Sequence, residues 1–303
     1  MIRRRIQGLE GPERLQALKA ALADLPGYHQ GPYGQLRRWV LDLIAAEQAR
    51  GEVRHKDSYF LPRQGAAQIA LVGPASSGKS SLLHALTGRR AAVGDYPCTT
   101  LRPQAGMVDC QGAQIQLIDL PGLLPGAAEG RGGGRAAMAA IRMADAALHL
   151  VALGPADLPE SLAVEAELGL AGVDVPFGVV ATKSDLPGAA ERLRDLEAAY
   201  PGRAVVVCSA LSGEGLDRVR ALAWQLSGLL RVYCRPRGAA ASPDAVVLRR
   251  GADVRTLAAT LNRSWPERLR RALVTGPSAR FAGQAVGPGH LLADGDTVEL
   301  WLG

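Results

Sequence analysis

The spacing of apolar residues divides the chain into three stretches. In residues 1–66, LQALKAALADL (15–25) and YGQLRRWVLDLIAAEQAR (33–50) place apolar side chains three and four apart, around the Pro/Gly-containing turn LPGYHQGPYG. Two helices are predicted, forming a hairpin or small appendage that either packs on the next domain or binds a partner. From 67 to 230 short apolar runs alternate with amphipathic ones. QIALVG (68–73), QIQLIDL (114–120), ALHLVAL (147–153), FGVVAT (177–182) and AVVVCSA (204–210) read as strands, with helices starting near Lys79, Gly133, Leu158, Gly188 and Glu214. Continuously apolar strands separated by helices predict an α/β fold with a mostly parallel sheet covered on both faces. Right-handed crossovers then gather the strand-to-helix loops at the carboxyl edge of the sheet, where ligands bind. From 231 to 303 the pattern changes again. RVYCR, DAVVLRR, RALVTG and DTVELWL read as strands around one helix, VRTLAATLN, which predicts a small α+β module. No internal repeat is visible.

Composition narrows the class without naming a function. With 48% hydrophobic and 21% charged residues the chain reads as globular, and only 4% aromatic residues make its core aliphatic. The opening MIRRRIQGLEGPERL has a basic start but lacks the apolar stretch of about seven residues that a secretion signal needs. No run of about 18 apolar residues occurs either, so a cytoplasmic protein with no membrane partner is expected. Cys98, Cys110, Cys208 and Cys234 form no CxxC pair, so reduced, mostly buried packing roles are expected for them, and the five histidines form no metal-binding pattern, so structural or solvent-facing roles are expected for these. Net charge becomes informative once divided: residues 1–66 carry +4, residues 231–303 carry +5, and the middle carries −3. Basic ends around an acidic centre point to a polyanionic partner touched by the ends, against the alternative of a merely solvating excess of arginine.

The segment ALVGPASSGKSSLLHAL runs from a strand through Gly73, Pro74, Ala75, Ser76, Ser77, Gly78, Lys79 and Ser80 into a helix that includes Ser81. It fits GxxxxGKS/T in the strand–loop–helix context that the pattern requires. Glycines let backbone N–H groups close around phosphates, the helix amino terminus adds positive potential, and Lys79 reaches the β and γ phosphates. Ser80 offers a hydroxyl to Mg²⁺. Thirty-nine positions on, QIQLID ends in Asp119-Leu-Pro-Gly122, which places a carboxylate for Mg²⁺ and a backbone N–H for the γ-phosphate. Thr182-Lys183-Ser184-Asp185 closes another strand and fits the guanine-reading pattern N/T-K-x-D. The Asp185 carboxylate matches the two donors on the guanine edge, which adenine lacks, and Lys183 lays its stem on the base. Ser209-Ala210-Leu211 ends the last strand of this region, where a backbone N–H can meet guanine O6. Between the first two motifs lies DYPCTTLRPQAG, with Thr99 and Thr100 available to close over Mg²⁺ and γ-phosphate; Thr100 is favoured. GLLPGAAEGRGGG (122–134) holds six glycines, which suits a loop that reorders between nucleotide states. GTP or GDP with Mg²⁺ is the expected ligand set, K⁺ stays open, and Lys79, Thr100 and Gly122 are the expected catalytic residues.

GPASSGKSSLLHALTG, YPCTTLRPQAGMV, DLPGLLPGAAEGRGGGR, TKSD and CSALSGEGLD together resemble the Obg and developmentally regulated GTP-binding (DRG) branch of the GTPases. The tail, through LRVYCRPRG, VVLRRGADV, RALVTGPSARFAGQAVG and DGDTVEL, is similar to a TGS domain, a β-grasp-like module. The resemblance implies a P-loop G domain over 67–230, a helical region over 1–66 and a TGS domain over 231–303. It also implies a regulatory GTPase whose basic ends touch the ribosome or another RNA, with a small regulatory protein as a further partner. Five departures qualify it. Leu123 stands where many GTPases carry the water-positioning Gln, and Pro125 where the family commonly has an acid. Residues 154–176 are too few for the insertion of eukaryotic DRG proteins, and no glycine-rich Obg-type domain precedes the G domain. Thr182 in place of the commoner Asn is expected to weaken one contact to the phosphate loop. The whole reads as a compact prokaryotic DRG-like form. The competing readings are a P-loop metabolic kinase or ATPase, against which Asp185 stands, and a non-hydrolysing adaptor, which Leu123 leaves open.

Overall fold

The computed structural model describes residues 11–25, 38, 40–44, 61–88, 103–155 and 157–303. The chain divides into two compact units, Met1–Ser58 and Tyr59–Gly303. In the first, helix α1 (Gly11–Ala23) buries Leu18 against Val40 and Ile44 of a second helical stretch, with Ala17, Leu22, Leu25 and Leu43 around them. The apolar stripes that predicted two helices are therefore used, at least in part, against each other. Much of the 33–50 stretch lies outside the described residues.

The second unit contains two sheets. Strands β1 (Ala67–Val72), β2 (Gln104–Cys110), β3 (Ala113–Asp119), β4 (Ala146–Ala152), β5 (Phe177–Thr182) and β6 (Val205–Val207) form a sheet in the order β2-β3-β1-β4-β5-β6. All neighbours are parallel except β2 and β3. Every residue of β1 and β4 is buried, as continuous apolar runs require when both faces are covered. Helices α2 (Lys79–Thr87) and α6 (Leu216–Leu226) cover one face, through Leu82, Leu86, Val219 and Ala223. Helices α3 (Gly134–Met143), α4 (Asp157–Leu170) and α5 (Ala189–Ala199) cover the other, through Ile141, Val164 and Leu196. Among the described residues no helix is long and apolar enough to cross a membrane.

Strand β2 is an addition to the strands expected from the sequence. It is an edge strand that buries Gly106, Val108 and Cys110, exposes Gln104, Ala105 and Asp109 and leaves Met107 half-buried, so it carries no continuous apolar run. Its hairpin turn uses Gln111 and Gly112, at φ 58° and 90°. Two consecutive left-handed residues make the turn that suits a tight hairpin, but Gln-Gly announces it less plainly than Asn-Gly.

Strands β7 (Leu229–Cys234), β8 (Ala245–Arg249), β9 (Leu269–Thr275), β10 (Gln284–Val286) and β11 (Asp296–Leu302) form the second sheet, in the order β10-β9-β11-β7-β8. Only β7 and β11 run parallel. Helix α7 (Val254–Leu261) covers one face with Val254, Leu257 and Ala258. The one-turn helix α8 (Trp265–Arg268) and the three-residue β10 were not predicted, being too short to display a period.

The two sheets are joined at the amino edge of the parallel one. The Asp145 carboxylate, just before β4, accepts from the Gln68 N–H at 2.8 Å and from Arg249 at 2.7 Å, and pairs with Arg63. Arg231 pairs with Asp294 at 2.7 Å and lies 4.5 Å from the centroid of the Trp224 ring. This joint leaves the carboxyl edge clear.

His149, in the middle of β4, is 1% exposed, and its Nδ1 lies 3.4 Å from the Tyr200 hydroxyl. Burial disfavours the imidazolium and pushes its pKa down to about 4. The folded value lies below that of the unfolded chain, so the unfolded state binds the extra proton. Stability is then lost as pH falls from about 6.5 to about 4, by on the order of 3 kcal/mol. Denaturant titrations of wild type and His149→Leu across this window should differ by that slope; equal slopes would remove the imidazole as the cause.

Candidate functional site

Strand β1 delivers the chain to Gly73, where φ is 155° and an added Cβ would lie 2.6 Å from the Leu150 carbonyl oxygen. Glycine is required there by space. The loop turns through Ser76 at φ 60° and enters α2 from Gly78 at φ 92°. Lys79 is 7% exposed, and its ammonium donates to the carbonyls of Pro74 at 2.6 Å and Gly73 at 3.1 Å, with Ser77 Oγ at 3.5 Å. Burial lowers its pKa to about 8, against the opposing attraction of Asp119. A positive side chain and a helix amino terminus thus converge on a loop whose Ala75 and Ser76 are exposed, as phosphate binding requires. Ser81 is also exposed, in the first turn of α2.

Ser80 Oγ donates to Asp119 Oδ2 at 2.5 Å, linking the start of α2 to the end of β3. Asp119 is fully buried, and its Oδ1 accepts no hydrogen bond from any described residue. Burial raises its pKa, opposed by the Ser80 hydrogen bond and by Lys79. A buried carboxylate with one uncommitted oxygen, next to a serine hydroxyl, is a hard oxygen donor set that fits Mg²⁺. Thr99, Thr100 and Cys98 lie outside the described residues.

Beyond Asp119 the chain passes close under the loop. A Cβ on Gly122 would lie 2.7 Å from the Ala75 nitrogen, and Leu123 N–H donates to the Gly73 carbonyl at 3.2 Å. The Leu123 side chain is buried with Val72, Ala127, Met138 and Ile141. It anchors the segment to the core and offers nothing to a water molecule. Glu167 of α4, which nothing in the sequence singles out, accepts from the N–H of Gly126 at 2.7 Å and of Ala128 at 2.8 Å. These two donors lower its pKa. The glycine-rich segment is thus tied to a helix that the sequence leaves unconnected with it. Glu167→Ala should speed amide exchange at Gly126 and Ala128 on the order of tenfold, with exchange in β4 unchanged, as hydrogen–deuterium exchange would read.

Segments 182–185 and 209–211 lie at the ends of the neighbouring strands β5 and β6. Thr182 is 4% exposed, and its hydroxyl donates to the Ser77 carbonyl at 2.7 Å. Threonine at the end of β5 therefore makes a contact to the phosphate loop. Lys183 adopts φ 60°, and Ser184 N–H donates to the Cys208 carbonyl at 3.3 Å. Asp185 is exposed, and its Oδ1 accepts from the buried Ser209 hydroxyl at 2.5 Å. Ser209 Oγ in turn accepts from the N–H groups of Leu211 at 3.2 Å and Ser212 at 3.1 Å. Ala210 is half-buried and Leu211 is 86% exposed, so an apolar side chain stands in solvent beside the Asp185 carboxylate. The described candidates thus gather at one edge of the sheet, as the strand-end pattern predicts.

Comparison with known proteins agrees with this geometry. A family model described as a 50S ribosome-binding GTPase matches residues 68–183, and a TGS domain model matches residues 230–301. The chain is 30% identical to an uncharacterized GTP-binding protein of Halobacterium salinarum, over 97% of this chain and 99% of that one. It is 25% identical to developmentally-regulated GTP-binding protein 2 of Mus musculus, over 90% and 93% respectively. Human mitochondrial ribosome-associated GTPase 2 is 39% identical over 50% of this chain and 39% of its own length.

Proposed function

This chain belongs to the developmentally regulated GTP-binding protein family, and from that premise we propose that it is a slow, Mg²⁺-dependent GTPase that switches its contact with the ribosome or another RNA. One observation carries the nucleotide half of this reading. The Asp185 carboxylate is aimed by Ser209 while Thr182, three residues before it, is bonded to the phosphate loop, so base reading and phosphate binding share one rigid frame. In that frame Gly73 to Ser81 hold the phosphates, Ser80 and Asp119 hold Mg²⁺ together with Thr100 or Thr99, and Asp185, Lys183, Ala210 and Leu211 hold the base. Bound Mg²⁺ would neutralise charge on the β and γ phosphates. Lys79 and the Gly122 N–H act on the γ-phosphate, and Thr100 closes over it. K⁺ is a further ion to test.

Leu123 lies in the core, so no side chain at that position orients the attacking water, and slow intrinsic turnover follows. The ribosomal half rests on the basic ends, +4 over residues 1–66 and +5 over 231–303, and on the likeness to a 50S ribosome-binding GTPase family and to a mitochondrial ribosome-associated GTPase. The division into a helical region 1–66, a G domain 67–230 and a TGS domain 231–303 belongs to the same proposal, as does a cytoplasmic location. A small regulatory protein is a further candidate partner.

Purified full chain should hydrolyse GTP at about 10⁻⁴ to 10⁻² per second and faster with ribosomes. Labelled GDP should be displaced by GTP and not by ATP. The full chain should co-sediment with ribosomes more with a non-hydrolysable GTP analogue than with GDP. Displacement by ATP would favour a metabolic P-loop enzyme. No hydrolysis with or without ribosomes would favour an adaptor, and turnover at tens per second would end the switch reading.

A further inference from the structure

The face of the second sheet opposite α7 divides into two halves. Near β8 it is covered: Leu229 and Val247 pack into the hydrophobic cluster of the parallel sheet, alongside Trp224. Towards β11 and β9 it is open, and the register sets Trp301 opposite Arg271 and Thr297 opposite Thr275. Arg271 and Arg237 are both exposed, and their guanidinium carbons lie 4.4 and 4.2 Å from the centroid of the same Trp301 ring. Neither pairs with a carboxylate among the described residues. The acid of this half, Glu299, is 7% exposed and already engaged: Oε2 accepts from Arg235 at 3.2 Å and Oε1 from the Trp301 indole N–H at 2.9 Å. The open half therefore carries a net positive charge, and two guanidiniums are held against one aromatic plate with N–H groups left for an anion.

We propose that this open half-sheet, through Arg237, Arg271 and Trp301, is the surface by which the chain grips the phosphodiester backbone of RNA. The inference rests on the proposed RNA role and assigns it to a place. Stacking on the indole limits the rotamers of both arginines before binding, so less side-chain freedom is lost when each guanidinium meets a phosphate. The two groups share one ring and are close enough to engage neighbouring phosphates of one strand. None of the exposed large apolar residues, such as Phe281 and Leu291, lies in β7, β9 or β11, which disfavours insertion into a lipid surface. Trp301 comes from the last strand, while Arg271 and Arg237 lie 30 and 64 residues before it, so no basic–aromatic run marks the site in the sequence.

The test is anisotropy of a labelled RNA hairpin with the full chain bound to a non-hydrolysable GTP analogue, across a salt series. Arg237→Ala/Arg271→Ala should weaken binding at least about tenfold near 0.1 M salt and lower the log–log salt slope by about 1.5. Trp301→Leu, which changes no charge, should weaken it several-fold, and Trp301→Phe should recover part of the loss. Arg255→Ala/Arg263→Ala removes the same charge in and just after α7, on the other side of the domain, and should have the smaller effect. If both double variants weaken binding equally while wild type binds well, the chain binds RNA without this surface, and the proposal falls alone. If wild type binds no RNA in either nucleotide state, the proposal falls together with the RNA role. Equal competition by phosphatidylserine vesicles or polyglutamate would overturn the commitment to RNA. The arginine variants keep the test decisive should Trp301→Leu fail to fold.

Discussion

Asp185→Asn is expected to lower GTP and GDP affinity on the order of a thousandfold and to transfer the preference to xanthine nucleotides. The carboxylate is held by the Ser209 hydroxyl at 2.5 Å, and Ser209 is fixed in turn by two backbone N–H groups, so the amide that replaces it stands in nearly the same place. Asn presents one acceptor and one donor to an edge of guanine that carries two donors, so one hydrogen bond is lost and one donor faces another. Sites that read a substrate by hydrogen bonds reject the wrong partner by about 10⁴ to 10⁵, and a thousandfold corresponds to about 4 kcal/mol. Xanthine has an acceptor where guanine has the amino donor and should restore binding. Titration with fluorescent GDP and XDP measures both; an unchanged GDP affinity would place the base elsewhere.

Gly122→Ala should leave GDP affinity within about tenfold and cut single-turnover GTP hydrolysis on the order of a hundredfold, since a displacement of about 1 Å at a reacting centre has that cost. The added methyl would meet the Ala75 backbone at 2.7 and 2.9 Å. Backbone cannot rotate away as a side chain can, so either the phosphate loop or the 122–124 segment must shift. The segment is held on its other side by buried Leu123 and by the two hydrogen bonds to Glu167, which leaves it little room to retreat. The strain therefore falls at the γ-phosphate end of the site, while Asp185 and Thr182 keep their frame. Quench-flow at saturating enzyme reads the chemical step; wild-type rates would show that the segment yields freely.

Much of the nucleotide site is legible in the chain because its parts are local. A glycine-rich turn between strand and helix, a carboxylate at a strand end and a Lys-x-Asp after another strand each declare themselves within a few residues, and the rule that such loops share one sheet edge brings them together. The five apolar strands are legible for the same reason, since burial on both faces leaves runs such as those of β1 and β4 without a polar gap. The edge strand β2, half in solvent, has no such run, and neither does the three-residue β10.

Residue type and spacing alone determined the G domain, its nucleotide-binding motifs and the small module that follows. Tertiary structure alone decided what depends on contacts between distant positions. Glu167 holds a loop some forty residues before it, and Thr182 reaches the loop of Ser77. Arg271 and Arg237 meet on Trp301 because strands far apart in sequence lie side by side. A motif is visible when one stretch of backbone carries the geometry. A contact between strands or helices depends on register and packing angle, and those are fixed only when the whole core closes.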